Sequence, residues 1–314
     1  VKAKMTDLQR LALDVYNGVP VMFNEVSGET ALRNMLTEAV GGEFNYKNFR
    51  ENKYRVFSII EEALDVTLGT VISTQFDNLA DVRNVAKGDQ VSFKVEDNSL
   101  FRIARIAGGN NDLRRQKLLN RRFTVDTDKY GVKIYEELDM FVAGRINWSS
   151  MVNRTADSFA NFMGTKIYDA IAQSYSALNT TYGVTGTYSE DALFDMVQHV
   201  EARSGKKATI FATKKGARKV TKDLNLSDNQ KDQLNKVGYL TTVNGTDIFL
   251  LPQAHKIGTD TFLVDDSTLL VIPQNEKIVK IVVEGEALML ETADAGARND
   301  QQMEYQIQKE FGIG

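Results

Sequence analysis

The chain has 314 residues, 42% of them hydrophobic and 25% charged, with a formal net charge of −4. That length and balance suit one large domain or two modest ones with a sizeable core, and argue against a disordered chain. There is no cysteine, which excludes disulfides, thiolate metal sites and cysteine nucleophiles.

The first residues lack the long apolar segment of a secretory signal, and no run approaches the roughly 18 apolar residues of a membrane span, so a soluble, non-secreted chain with no membrane partner is expected. "TDLQRLALDVY" predicts a short helix, with Thr6 as N-cap and Leu8, Leu11 and Val15 on one side. "ETALRNMLTEAV" predicts a second, ending at Gly41-Gly42. The polar stretch "GGEFNYKNFRENKY" follows and completes what reads as an arm. Helices this short are marginal in water and need a surface to lie on. Residues 54–87 mix helix and strand signals, and "VFSIIEEALDVTL" fits either.

The pattern then changes to period two. "QVSFKVED" alternates at Val91, Phe93 and Val95; "LFRIARI" has Phe101 and Ile103; "RFTVDTDKYGVKIYEEL" has Phe123, Val125, Val132 and Ile134. Strands running out and back are expected, with a turn at "AGGNND". A lone hairpin of this kind is marginal by itself. Its far part is strongly basic: Arg102, Arg105, Arg114, Arg115, Lys117, Arg121 and Arg122 against the single acid Asp112. Charge alone leaves three readings open: a solvated tip, a protein partner with an acidic patch, and phosphate contact. Phe101 and Phe123 are too few for a base-stacking platform.

In residues 147–179, Trp148, Val152, Ala156, Phe159, Met163, Ile167, Ile171, Tyr175 and Leu178 recur at steps of three or four. That is one face of a long helix, capped by Asn147. After a loop at 180–188 the chain turns α/β. "SEDALFDMVQHVEARSG" is a helix stopped at Gly205, "KATIFAT" a strand, and "TKKGARKVTKDL" a short helix capped by Thr213. "SDNQKDQLNKVG" carries a capping box at Ser227 and Gln230 and stops at Gly238. "YLTTVNGTDIFLLP" is a hairpin closed by Asn244-Gly245. "TFLVDDSTLLVIP" and "EKIVKIVVEGEALMLE" supply further strands, with turns at Asp265-Asp266 and Gln274-Asn275. The C-terminal "QQMEYQIQKEFGIG" alternates at Met303, Tyr305, Ile307 and Phe311, so it must pair with a sheet already built. The layout expected is a discontinuous domain with an α/β domain inserted between 180 and 290.

No constellation of catalytic residues emerges. The two histidines, His199 and His255, lack acids at ligand spacing. Asp265-Asp266 read as a solvated turn and not a Mg²⁺ pair. Glu61-Glu62 and Glu136-Glu137 are adjacent pairs that point apart in helix or strand, as surface acids would. "KKGARKV" and "AGGNND" lack the glycine and lysine spacing of phosphate loops. No enzyme activity and no cofactor are expected.

The order of these elements resembles the major capsid protein of tailed bacteriophages, with the Hong Kong phage-type fold. "DALFDMVQHVEARSGKKATIFATKKGARKV" and "FLVDDSTLLVIP" look most like its A-domain and the return from it. The resemblance implies an α+β fold divided into an N-arm (1–53), a first P-domain part (54–87), an extended β-hairpin or E-loop (88–133), a P-domain part with the long spine helix (134–179, helix 147–179), an inserted α/β A-domain (180–290) and a return strand (291–314). It implies pentamers and hexamers forming an icosahedral or prolate head around double-stranded DNA, held by weak non-specific contact. Scaffold, portal and cement proteins are further partners it implies, with assembly in the host cytoplasm and a place in the virion capsid. The basic hairpin residues would then meet acids on a neighbouring subunit, the candidates being Glu61, Glu62, Asp65, Glu136, Glu137 and Asp139. An encapsulin-type cellular compartment and an α/β enzyme with scattered acid-base residues are the alternatives.

Overall fold

The computed structural model describes residues 5–18, 22–23, 26–96, 100–106, 108, 113–116, 120–137, 147–221, 227–293 and 302–314. They divide into two units, one of Val1–Gln90, Val125–Gly164 and Val279–Gly314, the other of Val91–Thr124 and Thr165–Ile278.

The first unit begins with helices α1 (Asp7–Tyr16) and α2 (Gly28–Val40), separated by the two-residue strands β1 (Met22–Phe23) and β2 (Val26–Ser27). Thr6 caps α1 through a capping box with Gln9, as its sequence predicts. The surface these helices need is α3 (Tyr46–Phe76), and Leu8, Leu11 and Leu32 form a small core with Ile59. The polar stretch before residue 54, expected to belong to an arm, supplies from Tyr46 onward about the first quarter of this 31-residue helix. Asn45 accepts from the Asn48 N–H at its start, and Phe49, Val56, Phe57 and Ile60 continue one buried face. Residue 53 therefore lies inside a continuous helix, and the ambiguous "VFSIIEEALDVTL" is helical.

A four-stranded sheet completes this unit, in the order β3 (Ala80–Val85), β11 (Val279–Ala293), β12 (Gln302–Ile313), β6 (Asp128–Glu137). The C-terminal strand lies between two others, antiparallel to both, as its period-two pattern requires. Met303, Tyr305, Ile307, Lys309 and Phe311 form its buried row. β11 bulges where its register with β12 shifts between Glu284 and Leu288, and Gly285 takes φ +62° there.

Helix α4 (Trp148–Tyr175) is the long helix of the sequence pattern, with Asn147 Oδ1 accepting from Ser150 N–H at 2.9 Å. Trp148, Val152, Ala156, Phe159, Met163 and Ile167 are buried, whereas Tyr175 and Leu178, expected on the same face, are 40% and 51% exposed.

The second unit carries the sheet β10 (Leu269–Pro273), β7 (Ala208–Ala212), β9 (Thr246–Leu250), β8 (Thr242–Val243). Central β7 is buried along its whole length. Helices α5 (Glu190–Ser204), α6 (Lys214–Thr221) and α7 (Asp228–Val237) match the predicted ones. Gly205 and Gly238 close α5 and α7 at φ +67° and +91°. Asn244 and Gly245 take φ +47° and +79° in the β8–β9 turn, the left-handed pair of a type I′ hairpin. The expected strand "TFLV" is reduced to a single bridge between His255 and Phe262.

Candidate assembly surface

The hairpin begins with β4 (Ser92–Glu96) paired to β5 (Asn120–Thr124), in the register Phe93↔Phe123 and Lys94↔Arg122. The Phe93 and Phe123 rings stack at 5.7 Å. Beyond this pair the expected second strand does not form: residues 100–106 carry no regular secondary structure. Gln116 supplies a substitute, its side-chain amide accepting from Arg102 N–H and donating to Arg102 C=O, each at 2.8 Å. One side chain thereby mimics the two bonds a neighbouring strand would make.

Arg102, Arg105, Arg114, Arg115, Arg121 and Arg122 are all exposed. Lys117 and Asp112 lie outside the described residues, as does most of the turn "AGGNND". Sequence reasoning treated this region as a charged arm and placed its apolar residues in a strand. Those residues are bare: Leu100 is 94% exposed, Ile103 98%, Phe101 55%, Leu113 50% and Ile106 49%. Five large apolar side chains within fourteen positions, interleaved with arginine, are thus left exposed in the single chain. The alternation in "LFRIARI" was the available signal; it was assigned to pairing within the chain.

The candidate acidic partners are distributed differently. Glu61, Glu62 and Asp65 lie on α3 and already serve the first unit. Glu61 accepts from Met289 N–H at 2.6 Å, and Asp65 accepts from Ala287 N–H at 2.9 Å and from Lys309 Nζ at 2.5 Å. Glu62 accepts from the Thr6 hydroxyl at 2.8 Å. Burial pushes the Glu61 carboxyl above the usual range, the Met289 N–H opposes that, and repulsion from Asp65 and Glu286 adds to it. Glu61 and Asp65 are structural carboxylates that satisfy N–H groups in and just beyond the β11 bulge, and Glu62 holds the cap of α1. Glu136 and Glu137 have backbone partners Met303 and Gln302 on the edge strand β6, and Asp139 lies outside the described residues.

Other candidates resolve as structure. Asp266 accepts from the Thr213 hydroxyl at 2.7 Å and holds the start of α6, while Asp265 closes a turn on Ser267 N–H. Hydrogen bonds from Ser267 hold the Asp265 carboxyl below its ordinary range. His199 packs edge-on to Tyr182, and His255 stacks on Phe262. Among the described residues no group of His, Cys, Asp and Glu is placed to hold a metal ion, and no helix is long and apolar enough to cross a membrane.

The hairpin thus presents interleaved apolar and basic side chains, while Glu61 and Asp65 serve the first unit's own sheet. A family model described as "SPbeta prophage-derived putative capsid protein YonB" matches residues 8–314, and the chain belongs to this family of capsid proteins. No curated protein matches the chain. Among solved structures it is similar to a virus-like particle from Pyrococcus furiosus, with 13% identity over 80% of this chain and 93% of that chain and a TM-score of 0.43. It is similar also to the Mycobacterium phage Bobi structure, with 14% identity over 77% and 83% and a TM-score of 0.48. The capsid of the Cyanophage P-SCSP1u gives 16% identity over 76% and 84% and a TM-score of 0.46. The match over nearly the full length of the chain carries the assignment: this is a phage capsid protein, a shell-forming component of the virion.

Proposed function

We propose that the chain is the major shell subunit and assembles with copies of itself into pentamers and hexamers. These close an icosahedral or prolate head around double-stranded DNA, with assembly in the host cytoplasm and a structural role without a catalytic step. In this reading residues 1–45 act as N-arm, 91–124 as E-loop, 180–278 as A-domain and the remainder as P-domain; the bounds expected at 53, 133 and 290 shift because α3 is continuous from Tyr46 and because β6 and β11 belong to the first unit's sheet. Scaffold, portal and cement proteins are partners of the same reading, and the packaged DNA meets the shell by weak non-specific contact.

The observation that supports it best is the bare hairpin. Leu100 and Ile103 are almost fully exposed beside exposed Arg102 and Arg105, a costly arrangement for a free chain and a productive one against a neighbour. The hairpin's arginines steer and orient that contact, and the apolar residues supply its burial. Its acidic partner is on the neighbour, the candidates being Glu61, Glu62, Asp65, Glu136, Glu137 and Asp139; of these, Glu61, Glu62 and Asp65 also hold contacts within their own chain. Reversing charge at Arg114, Arg115, Arg121 and Arg122 tests the reading. Folded subunits that no longer form closed particles are expected; particles of normal size and yield from that variant contradict it.

A further inference from the structure

Helices α5 and α6 of the second unit lie on one face of their sheet. Leu193 and Val197 of α5 and Ala217 and Val220 of α6 share one core with Ala208, Ile210 and Ala212 of β7. They are displaced across that face, α5 against β10 and β7, α6 against β7 and β9. Their outward sides differ in sign. α6 exposes Lys214, Lys215, Arg218 and Lys219, while α5 exposes Asp191 and Asp195 over its first two turns and Arg203 in its last. Lys215 reaches Asp266 at 3.5 Å yet stays 81% exposed. Lys214, Arg218, Lys219, Asp191 and Asp195 have no ion-pair partner among the described residues.

We infer that the cationic side of α6 on one copy docks against the acidic side of α5 on the next copy around a ring. The inference rests on the self-assembly proposed above and names one contact within it. Two observations select this occupant. First, the spacing matches: Lys214 and Arg218, and Lys215 and Lys219, stand one helical turn apart, as do Asp191 and Asp195, a separation of about 6 Å between Cβ atoms in each case. Second, the two patches are different surfaces of the same chain. A twofold contact could pair α6 with α5 and α5 with α6 at once, so the choice of a head-to-tail contact rests on the shell assembly proposed above, which needs it. A contact between unlike patches generates a ring when its rotation closes. Complementary charge of this kind also sets register and suppresses the wrong pairing.

The test uses three variants of the whole chain: Arg218→Glu with Lys219→Glu, Asp191→Lys with Asp195→Lys, and all four changes together. Assembly is read by sedimentation at about 0.1 M salt, where surface charge still acts over roughly 10 Å. Melting temperatures report folding; should a reversed pair melt early, its neutral version, Arg218→Gln with Lys219→Gln or Asp191→Asn with Asp195→Asn, replaces it and weakens assembly less. Each reversed pair is expected to lower the assembled fraction about tenfold or more, and the combination to restore it. Normal assembly by either reversed pair overturns the inference, as does a combination no better than its parents. Normal particles that merely carry less nucleic acid also overturn it, and assign the α6 face to phosphate contact. A wild-type chain that forms no rings or shells overturns the assembly reading itself, a different result from any of these.

Discussion

Lys309 of β12 stands in a row of buried apolar side chains, and Asp65 of α3 meets it there, Nζ to Oδ1 at 2.5 Å. The same ammonium donates to Gly285 C=O at 2.8 Å, and the same carboxylate accepts from Ala287 N–H. One ion pair thus joins α3 to both sides of the β11 bulge.

Its two halves should not be equivalent. Asp65→Ala leaves a buried ammonium unpaired and is expected to cost about 3 kcal/mol. Lys309→Met continues the apolar row and leaves Asp65 partly exposed with its Ala287 bond, so roughly 1 kcal/mol is expected. The double variant should recover most of the loss of the first. Urea unfolding of the three, with equal costs for the single variants, would refute this asymmetry.

Glu61 and Glu284 should move stability in opposite directions with pH. Burial raises Glu61, so the folded chain binds that proton more readily than the unfolded one. Its contribution is complete below the ordinary carboxylate range and is lost as pH climbs through the raised value. Glu284 accepts from the Thr127 hydroxyl and from Gly88 N–H, which hold it below its ordinary range. Its contribution is present above the ordinary value and is lost as pH falls through the depressed one. Glu61→Gln should therefore gain on wild type near neutral pH and converge with it below about pH 4. Glu284→Gln should lose at neutral pH and converge in acid. Melting temperature against pH distinguishes the two curves.

Two glycines predict opposite outcomes for the same substitution. A Cβ on Gly312 would collide with the Asp126 carbonyl and crowd Val125, so Gly312→Ala is expected to cost about 2–3 kcal/mol. Gly69 sits inside α3 with open space where its Cβ would be, and Gly69→Ala should stabilise by about 0.5–1 kcal/mol. Thermal denaturation of the pair suffices.

Leu100→Ser with Ile103→Ser should leave the melting temperature of the isolated subunit nearly unchanged, because both side chains are in solvent. Assembly should require at least tenfold higher protein concentration, since burying either aliphatic side chain contributes about 1.5–3 kcal/mol. A variant that assembles at the wild-type concentration would remove the apolar part of the hairpin contact.

Much of the fold was legible because local signals coincide with tertiary ones. The capping boxes at Thr6 and Ser227, the stops at Gly205 and Gly238, and the Asn244-Gly245 turn each specify backbone without help from distant residues. The period-two row of β12 announced a strand with a buried face. Lys309 interrupts that row in sequence and not in space, because its partner is 244 positions away. The start of α3 was missed for a related reason: its polar residues hid a buried face carried by Phe49 and Val56. The basic hairpin was visible from charge, whereas its bare apolar row was not, since alternation cannot tell a strand paired within the chain from one left open. Likewise "TKKGARKVTK" reads as a helix, and only its packing shows that four cations share the outward side.

In the function proposed above, this capsid-family chain builds a closed shell from copies of itself. The particle mass of the purified protein near neutral pH, by analytical ultracentrifugation with negative-stain imaging, tests it most directly. Rings of five or six subunits, or closed shells, are the predicted result. A monomer or dimer that persists when scaffold or a crowding agent is added would contradict it.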